Sequence, residues 1–501
     1  MRSGLEGEVA DLQVYGEIPK EIDGTFYRIM VDPFYPLDPK GNIPIEGDGS
    51  VCAIRIHNGK VDMKTKYVET ERLTLERTAG ERMFGLYRNP FTHHPCVRAA
   101  IDSTANTNLV LWAGHLLALK EVALPYAVDP DTLETRTYDP FGGQVEAKTF
   151  TAHPKVDPYT EELVTYGYEA KGLCSLDIVV YTLDKTGKMK DEHWLEAPWP
   201  GLIHDCAISE NFITLVMWPF ESDLSRIKNG EHHWNWNPSR PATFIVIPRR
   251  VGKNLPAGWT EGEHRVYEWE NCVCLHTASA YEEDGKLYFE SSRVFDQELV
   301  FFPVMEGHAA SPPTGRADFV RWEMDLSKPS GTKLADPLVI LDLPSEFPRI
   351  DERFMTKKYE FITLCGVFGG RGRAPMVYPS LNCLAMVNTT TGDTKYWNPK
   401  EDYPGEEFAV QEPIFIPRSH DAPEGDGWVM AMVERLERRS CFLVLLDTRN
   451  FEVPIAIINL AMHSKSQIHG NWVEATEQYK NLVKDFGSVA VSGRGALEKF
   501  P

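Results

Sequence analysis

YTLDKTGKM, residues 181–189, decides the fold when its neighbours are compared with it. Tyr181 and Leu183 alternate with Thr182, Asp184 and Gly187 surround a polar tip, and Met189 begins a return strand. Aspartate and glycine between alternating apolar runs signal a β-hairpin. With Leu183, the last apolar residue before the turn, as an anchor, the pattern recurs along the chain. The other copies are AIRIHNGKV (53–61, anchor Ile56), YAVDPDTLET (126–135, Val128), FIVIPRRVGK (244–253, Ile247), WEMDLSKPSG (322–331, Met324), AMVNTTTGD (385–393, Val387) and VLLDTRNFE (444–452, Leu446). Seven anchors result, 55 to 77 residues apart. That interval suits a four-stranded blade plus loops, and repeats of this period signal a closed circular array. The expected fold is all-β: a seven-bladed β-propeller that takes up residues 1–501 as one domain.

Composition agrees and narrows the function. Twelve Trp, 19 Tyr and 24 Phe, with 35 Pro and 37 Gly, favour strands and turns over helical bundles. Helical patterning is confined to 69–83 and 476–487, read as decorations. The formal net charge of −21 argues against nucleic acid, which needs a basic face, and against docking on anionic membranes. No apolar run approaches the roughly 18 residues of a membrane span. The N-terminus lacks the apolar stretch of a secretory leader. Nine scattered cysteines, of which only Cys272 and Cys274 are close, read as reduced thiols; the expected location is cytoplasmic.

The anchors also sort the 15 histidines. His153 lies 25 residues beyond Val128, His204 21 beyond Leu183, His276 29 beyond Ile247 and His469 23 beyond Leu446. This distance brings the chain to the first, innermost strand of the next blade. Four imidazoles thereby enter the central channel at one level from four blades, in FTAHPKVDP, GLIHDCAIS, CLHTASAYE and SQIHGNWVE. Glu346 and Glu412 occupy the same slot, 22 and 25 residues beyond Met324 and Val387. An insertion at roughly 69–105 obscures the slot of the first repeat. His93, His94, His232 and His233 lie in polar loops and read as surface or supporting residues.

Four neutral imidazoles with carboxylates nearby are the materials of a metal site, since ligating histidines usually donate their other N–H to a carboxylate. Imidazole suits iron, copper, nickel and zinc, and four ligands leave positions open on an octahedral ion. No Gly-x-Ser-x-Gly, Walker or dinucleotide signature competes with this reading. FGGRGR (368–373) reads as a turn.

The four histidine contexts, with EGDGSVCAIRI (46–56), SEFPRIDERF (345–354) and QEPIFIPR…DGWVM (411–430), resemble the carotenoid cleavage oxygenase family. The resemblance runs from FYRIMVDP (26–33) to SQIHGNW (466–472). It implies a seven-bladed propeller with a loop and helix cap over one face. It also implies Fe(II) held by His153, His204, His276 and His469, three of them supported by Glu121, Glu346 and Glu412. FGLYRNPFT (84–92), the LKE at 119–121 and HHWNWNPSRPATFIVIPRR (232–250) resemble the stilbene-cleaving branch, the lignostilbene and resveratrol dioxygenases. Tyr87 and Lys120 match the pair that hydrogen-bonds a substrate 4-hydroxyl in that branch. Ile45 stands where the branch usually carries an aromatic residue, which changes the surface available for ring stacking.

The function this implies is cleavage of the central C=C bond of a 4-hydroxystilbene such as resveratrol, piceatannol or a lignostilbene by O2, giving two aromatic aldehydes. The expected partners are O2 and a small phenolic stilbene, with no nucleic acid and no integral membrane association. The alternatives are a carotenoid or apocarotenoid dioxygenase, a non-enzymatic propeller scaffold with structural histidines and, more weakly, a zinc hydrolase.

Overall fold

The computed structural model describes residues 6–38, 41–250, 252–295, 297, 299–308, 315–368, 381–462 and 467–476. Their strands form seven sheets of four to six strands. Arranged about an axis, these are the blades of a seven-bladed propeller. From the axis outward, the third blade runs Lys155–Asp157, Glu162–Tyr168, Asp177–Leu183 and Met189–Glu196, each antiparallel to the next. Every anchor occupies the same place, at or near the end of its blade's third strand. Leu183 ends Asp177–Leu183 and Val128 ends Tyr126–Val128. Met324 and Leu446 are penultimate in Ala317–Asp325 and Ser440–Asp447.

The polar residue after the anchor has a physical task. The carboxylate of Asp184 accepts from the N–H groups of Thr186 (2.9 Å) and Lys188 (3.1 Å), and Gly187 supplies the left-handed backbone, φ 85°. Asn388 accepts from Thr390 and Thr391 (both 2.9 Å), and Asp129 accepts from Asp131 (2.9 Å) and Thr132 (2.7 Å). Side chains that bond their own backbone two residues on fold the turn locally.

The ring closes by joining distant segments of the chain. Gln467–Glu474 pairs antiparallel with Gly24–Val31, becoming the inner strand of the first blade. This pairing locks the two ends of the chain into one blade, and the radial array leaves each blade only short edges. Gly470 is required there, because a Cβ would lie 2.6 Å from the Tyr27 carbonyl oxygen. Between blades the packing is apolar, as where Phe244, Trp269 and Trp322 meet at ring distances of 4.9 and 5.2 Å.

Insertions build the cap. Within 69–83 the helix is Glu71–Ala79; Thr70 caps it by accepting from the Leu73 N–H at 3.0 Å, and Gly80, at φ 77°, ends it. Downstream, the Asn89 amide donates to the carbonyls of Ile227 (2.9 Å) and Glu231 (2.7 Å), beside the short helix Leu224–Lys228. The Trp236 backbone N–H donates to the Pro303 carbonyl at 2.9 Å. These three insertions interlock over one end of the axis. The helix expected at 476–487 lies, past Thr476, outside the described residues, as does FGGRGR past Phe368. Among the described residues no helix is long and apolar enough to cross a membrane.

Candidate metal centre

The axial end under the cap is built from inner-strand beginnings. His204 is the fourth residue of Gly201–Ile208, and His469 the third of Gln467–Glu474. His153 lies two residues before Lys155–Asp157, and His276 directly precedes Thr277–Glu283. Glu346 is the second residue of Ser345–Ile350, and Glu412 lies two before Ile414–Pro417. Regular pairing breaks beside the ring: register shifts fall between Ile203 and Cys206, Thr277 and Ala280, Glu346 and Arg349, and opposite His469 between Arg28 and Met30. Such bulges free a residue from the ladder and re-aim its side chain, here towards the axis.

The four imidazoles meet, with one ligand atom from each lying within 4.8 Å of the others. Nε2 of His204 is 3.2 Å from Nε2 of His153 and 3.1 Å from Nε2 of His276. Nδ1 of His204 faces Glu121 Oε2 at 3.2 Å, Nδ1 of His469 faces Glu412 Oε1 at 3.0 Å, and Nδ1 of His276 bonds Glu346. A carboxylate at Nδ1 fixes the tautomer that donates there and leaves a bare lone pair at Nε2. The close His204–His276 pair therefore sets lone pair against lone pair, and the buried His469 Nε2 has no hydrogen-bond partner among the described residues. A cation resolves both problems: adjacent ligands about 2.1 Å from one ion lie about 3 Å apart. The donor set fits a first-row metal.

The electrostatics favour neutral ligands at two positions. Burial and the three other imidazoles push His153 well below its ordinary range, and burial pulls His469 down to about 4 against the opposing pull of Glu412. At His276 burial also opposes charge, but the Glu346 carboxylate outweighs it and the group shifts upward. Burial would raise Glu412, yet His469 and Arg349 hold it far below the usual carboxylate range.

His153 differs from the other three. The nearest carboxylate oxygen recorded for its Nδ1 is Asp205 Oδ1 at 3.9 Å, beyond hydrogen-bond range. Asp205 is engaged instead by Lys155 Nζ (2.9 Å) and by the N–H and hydroxyl of Thr277 (2.9 and 3.0 Å). An axial cavity of about 530 Å³ reaches His153, His276 and His469.

Glu121 stands outside the repeat register. It follows the second strand of its blade, His115–Leu119, and reaches the ring from the cap side. Its other oxygen, Oε1, accepts from the Tyr87 hydroxyl at 3.3 Å. Lys120 is only 4% exposed; its Nζ donates to Asn106 Oδ1 at 3.0 Å and sits 5.3 Å from the centre of the Tyr87 ring. Burial pulls Lys120 down to about 8, and burial with Glu121 nearby pushes the Tyr87 phenol well up. A void of about 10 Å³ lined by Tyr87, Lys120, Glu46 and Thr104 has room for about one water-sized group.

Two loop histidines are deeper than their sequence context indicates. His93 bonds Asp102 at 3.1 Å, and His233, with no exposed surface, bonds both oxygens of Glu169 at 3.1 Å. Nothing in HHWNW marks the second of these as buried, because its partner lies 64 residues away.

Residues 2–474 match the family model described as retinal pigment epithelial membrane protein, RPE65. The chain belongs to this carotenoid oxygenase family. Within it, the chain is 60% identical to resveratrol cleavage oxygenase 1 of Botryotinia fuckeliana, over 99% of this chain and 88% of that one. It is 39% identical to resveratrol cleavage oxygenase 1 of Aspergillus fumigatus, over 94% of each. The crystal structure of the Pseudomonas brassicacearum lignostilbene dioxygenase superposes with a TM-score of 0.86 at 37% identity, covering 94% of this chain and 96% of that one. The seven-bladed fold and membership of an oxygenase family expected from the sequence are both borne out.

Proposed function

We propose that this chain is an iron(II) dioxygenase that cleaves the central C=C bond of 4-hydroxystilbenes, such as resveratrol or piceatannol, with O2. The observation that carries the reading is the buried Lys120 ammonium facing the Tyr87 ring, on the cap side of the imidazole ring. His153, His204, His276 and His469 would hold the metal, with Glu121, Glu346 and Glu412 fixing three of the imidazoles. Bound there, iron(II) supplies the redox chemistry that activates O2.

The protein's own residues prepare the substrate. The 4-hydroxyl oxygen accepts from Lys120 Nζ and from the Tyr87 hydroxyl, whose single proton turns from Glu121 Oε1 to the substrate on binding. A phenol ordinarily titrates near 10. The ammonium, held at about 8 by burial, remains charged at pH 7 and stabilises the phenolate electrostatically. Electron density then passes through the ring to the alkene and makes it the reactive bond. The phenol proton leaves to solvent as the phenolate binds and is regained by the hydroxyaldehyde product; each alkene carbon takes one oxygen atom from O2, so two aldehydes form with no net proton change. No general acid–base pair is required.

The same proposal takes residues 1–501 as one domain, a cytoplasmic location, and O2 with a small phenolic stilbene as partners. An apocarotenoid, having no phenol, has no use for a buried ammonium. The test is an aerobic assay of ferrous-loaded protein on resveratrol, piceatannol and an apocarotenal, with products identified by mass. Aldehydes from the stilbenes, and a large loss of that activity in Lys120→Met, are expected. Cleavage of the apocarotenal alone, or stilbene cleavage unchanged in Lys120→Met, would overturn the reading.

A further inference from the structure

We propose that Arg88, Glu169 and His233 form a buried positioning unit for the Tyr87 hydroxyl. The inference rests on the functional reading above, in which that hydroxyl holds the substrate phenol. Tyr87 lies in an insertion rather than on a blade, so its placement needs a separate cause. The residue after it supplies one. Arg88 adopts a left-handed backbone, φ 53°, unusual for a side chain of its size. Its guanidinium is buried, ion-paired with Glu169 and hydrogen-bonded to the Tyr168 hydroxyl at 2.9 Å. It also lies 5.1 and 5.5 Å from the ring centres of Tyr168 and Trp234.

Glu169 is a hub. Besides Arg88, its carboxylate accepts from the Ser222 hydroxyl and the Cys174 N–H, both at 2.9 Å, and contacts His233 Nε2 at 3.1 Å. Burial alone would raise the carboxylate, but Arg88 and His233 hold it down at about 2. His233 closes the loop: its Nδ1 faces the Arg88 carbonyl oxygen at 3.2 Å. Arg88 is therefore gripped at both its side chain and its backbone.

This grip costs desolvation of a charged pair, which apolar packing of similar shape would avoid. A buried pair of that kind is explained when it sets a geometry. The geometry set here is that of the adjoining Tyr87, whose hydroxyl must lie within reach of both Glu121 and a substrate phenol. A displacement of about 1 Å at such a point can cost about a hundredfold in rate.

Removing the unit should therefore act through Tyr87. The measurements are kcat and KM for resveratrol and for its 4-O-methyl ether, in wild type, Glu169→Gln, Tyr87→Phe and the double variant. In Glu169→Gln the preference for the free phenol, as the ratio of kcat/KM values, is expected to fall about tenfold or more, while metal content stays at the wild-type level. In the Tyr87→Phe background the same change is expected to have no further effect on that ratio, because interacting residues are non-additive. Ser222→Ala, which removes one hydrogen bond to Glu169, gives a smaller effect of the same kind should Glu169→Gln fold poorly. Equal losses on both substrates, or a full effect of Glu169→Gln without Tyr87, would overturn the positioning role. A wild-type protein that neither binds nor cleaves either stilbene would instead overturn the functional reading, and this inference with it.

Discussion

The imidazole ring and the cap pocket meet at one residue, Glu121, yet they are made differently. The ring is assembled by the repeat. Its residues stand where inner strands begin, on a scaffold closed by the pairing of Gln467–Glu474 with Gly24–Val31. The cap pocket is assembled by interruptions of the repeat, with Tyr87 in the long insertion and Lys120 just past a blade's second strand. The contrast marks a division of labour. In the proposed function, symmetry collects ligands for a metal, and departures from symmetry select what is brought to it.

Breaking the ring should have the largest effect. His276→Ala removes one ligand and leaves Glu346 as a buried carboxylate without its imidazole. Activity is expected to disappear and metal content to fall to background, measured by elemental analysis of purified protein. Full metal occupancy in that variant would mean that the ring is not the metal site.

Breaking the cap should spare the metal. Lys120→Met is expected to lower turnover of a 4-hydroxystilbene about a hundredfold or more, the scale of losing one preorganised donor at a developing charge, with metal content unchanged. The substitution also has a signed effect on stability. Lys120 sits at about 8 in the fold against an ordinary 10.5. Below pH 8 both folded and unfolded chains carry the proton, and the folded state bears the full burial penalty. Between pH 8 and 10.5 the unfolded chain binds more protons, so this lysine's destabilisation fades as pH rises. Lys120→Met should therefore stabilise the protein at pH 7, by on the order of 3 kcal/mol from this source, with the advantage vanishing by about pH 10.5. Chemical denaturation of both proteins across that range measures the difference.

The same division explains what the sequence could reveal. The meeting of the four histidines, Glu346 and Glu412 was legible from spacing alone, because a turn Asp or Asn such as Asp184 or Asn388 follows the anchor in five of the seven blades and the distance on to the histidine or glutamate stays between 21 and 29 residues. Glu121 was not, since it approaches the ring from a second strand and only family resemblance pointed to it. His233 and Glu169 left no trace, because burial of a loop depends on another insertion closing over it. The bulges that turn His204 and Glu346 inward have no composition signature either.

Within the ring, the imidazoles tied to glutamate can be set against the one that is not. Glu346→Gln should weaken metal affinity about 10–100-fold, the usual effect of removing such a partner. Asp205→Asn, whose carboxylate stands 3.9 Å from His153, should weaken it less than Glu346→Gln does. Competition titration with a chelator ranks the two. An Asp205 effect equal to that of Glu346 would show that His153 is held as firmly as the rest.

The smallest expected effect tests the cap's part in selection. Ile45 is half-buried, and its carbonyl accepts from the Asn106 amide at 2.9 Å, while the same Asn106 accepts from Lys120 through Oδ1 at 3.0 Å. Its backbone is thus tied to the proposed phenol anchor, leaving the side chain to set shape. Ile45→Phe adds an aromatic face where the stilbene-cleaving branch usually carries one. An aromatic pair contributes about 0.5–1.5 kcal/mol beyond area burial, so KM for resveratrol should fall about two- to tenfold with kcat little changed. A change in kcat with KM constant would instead mean that position 45 moves Lys120 through Asn106, making the substitution a probe of anchoring rather than of stacking.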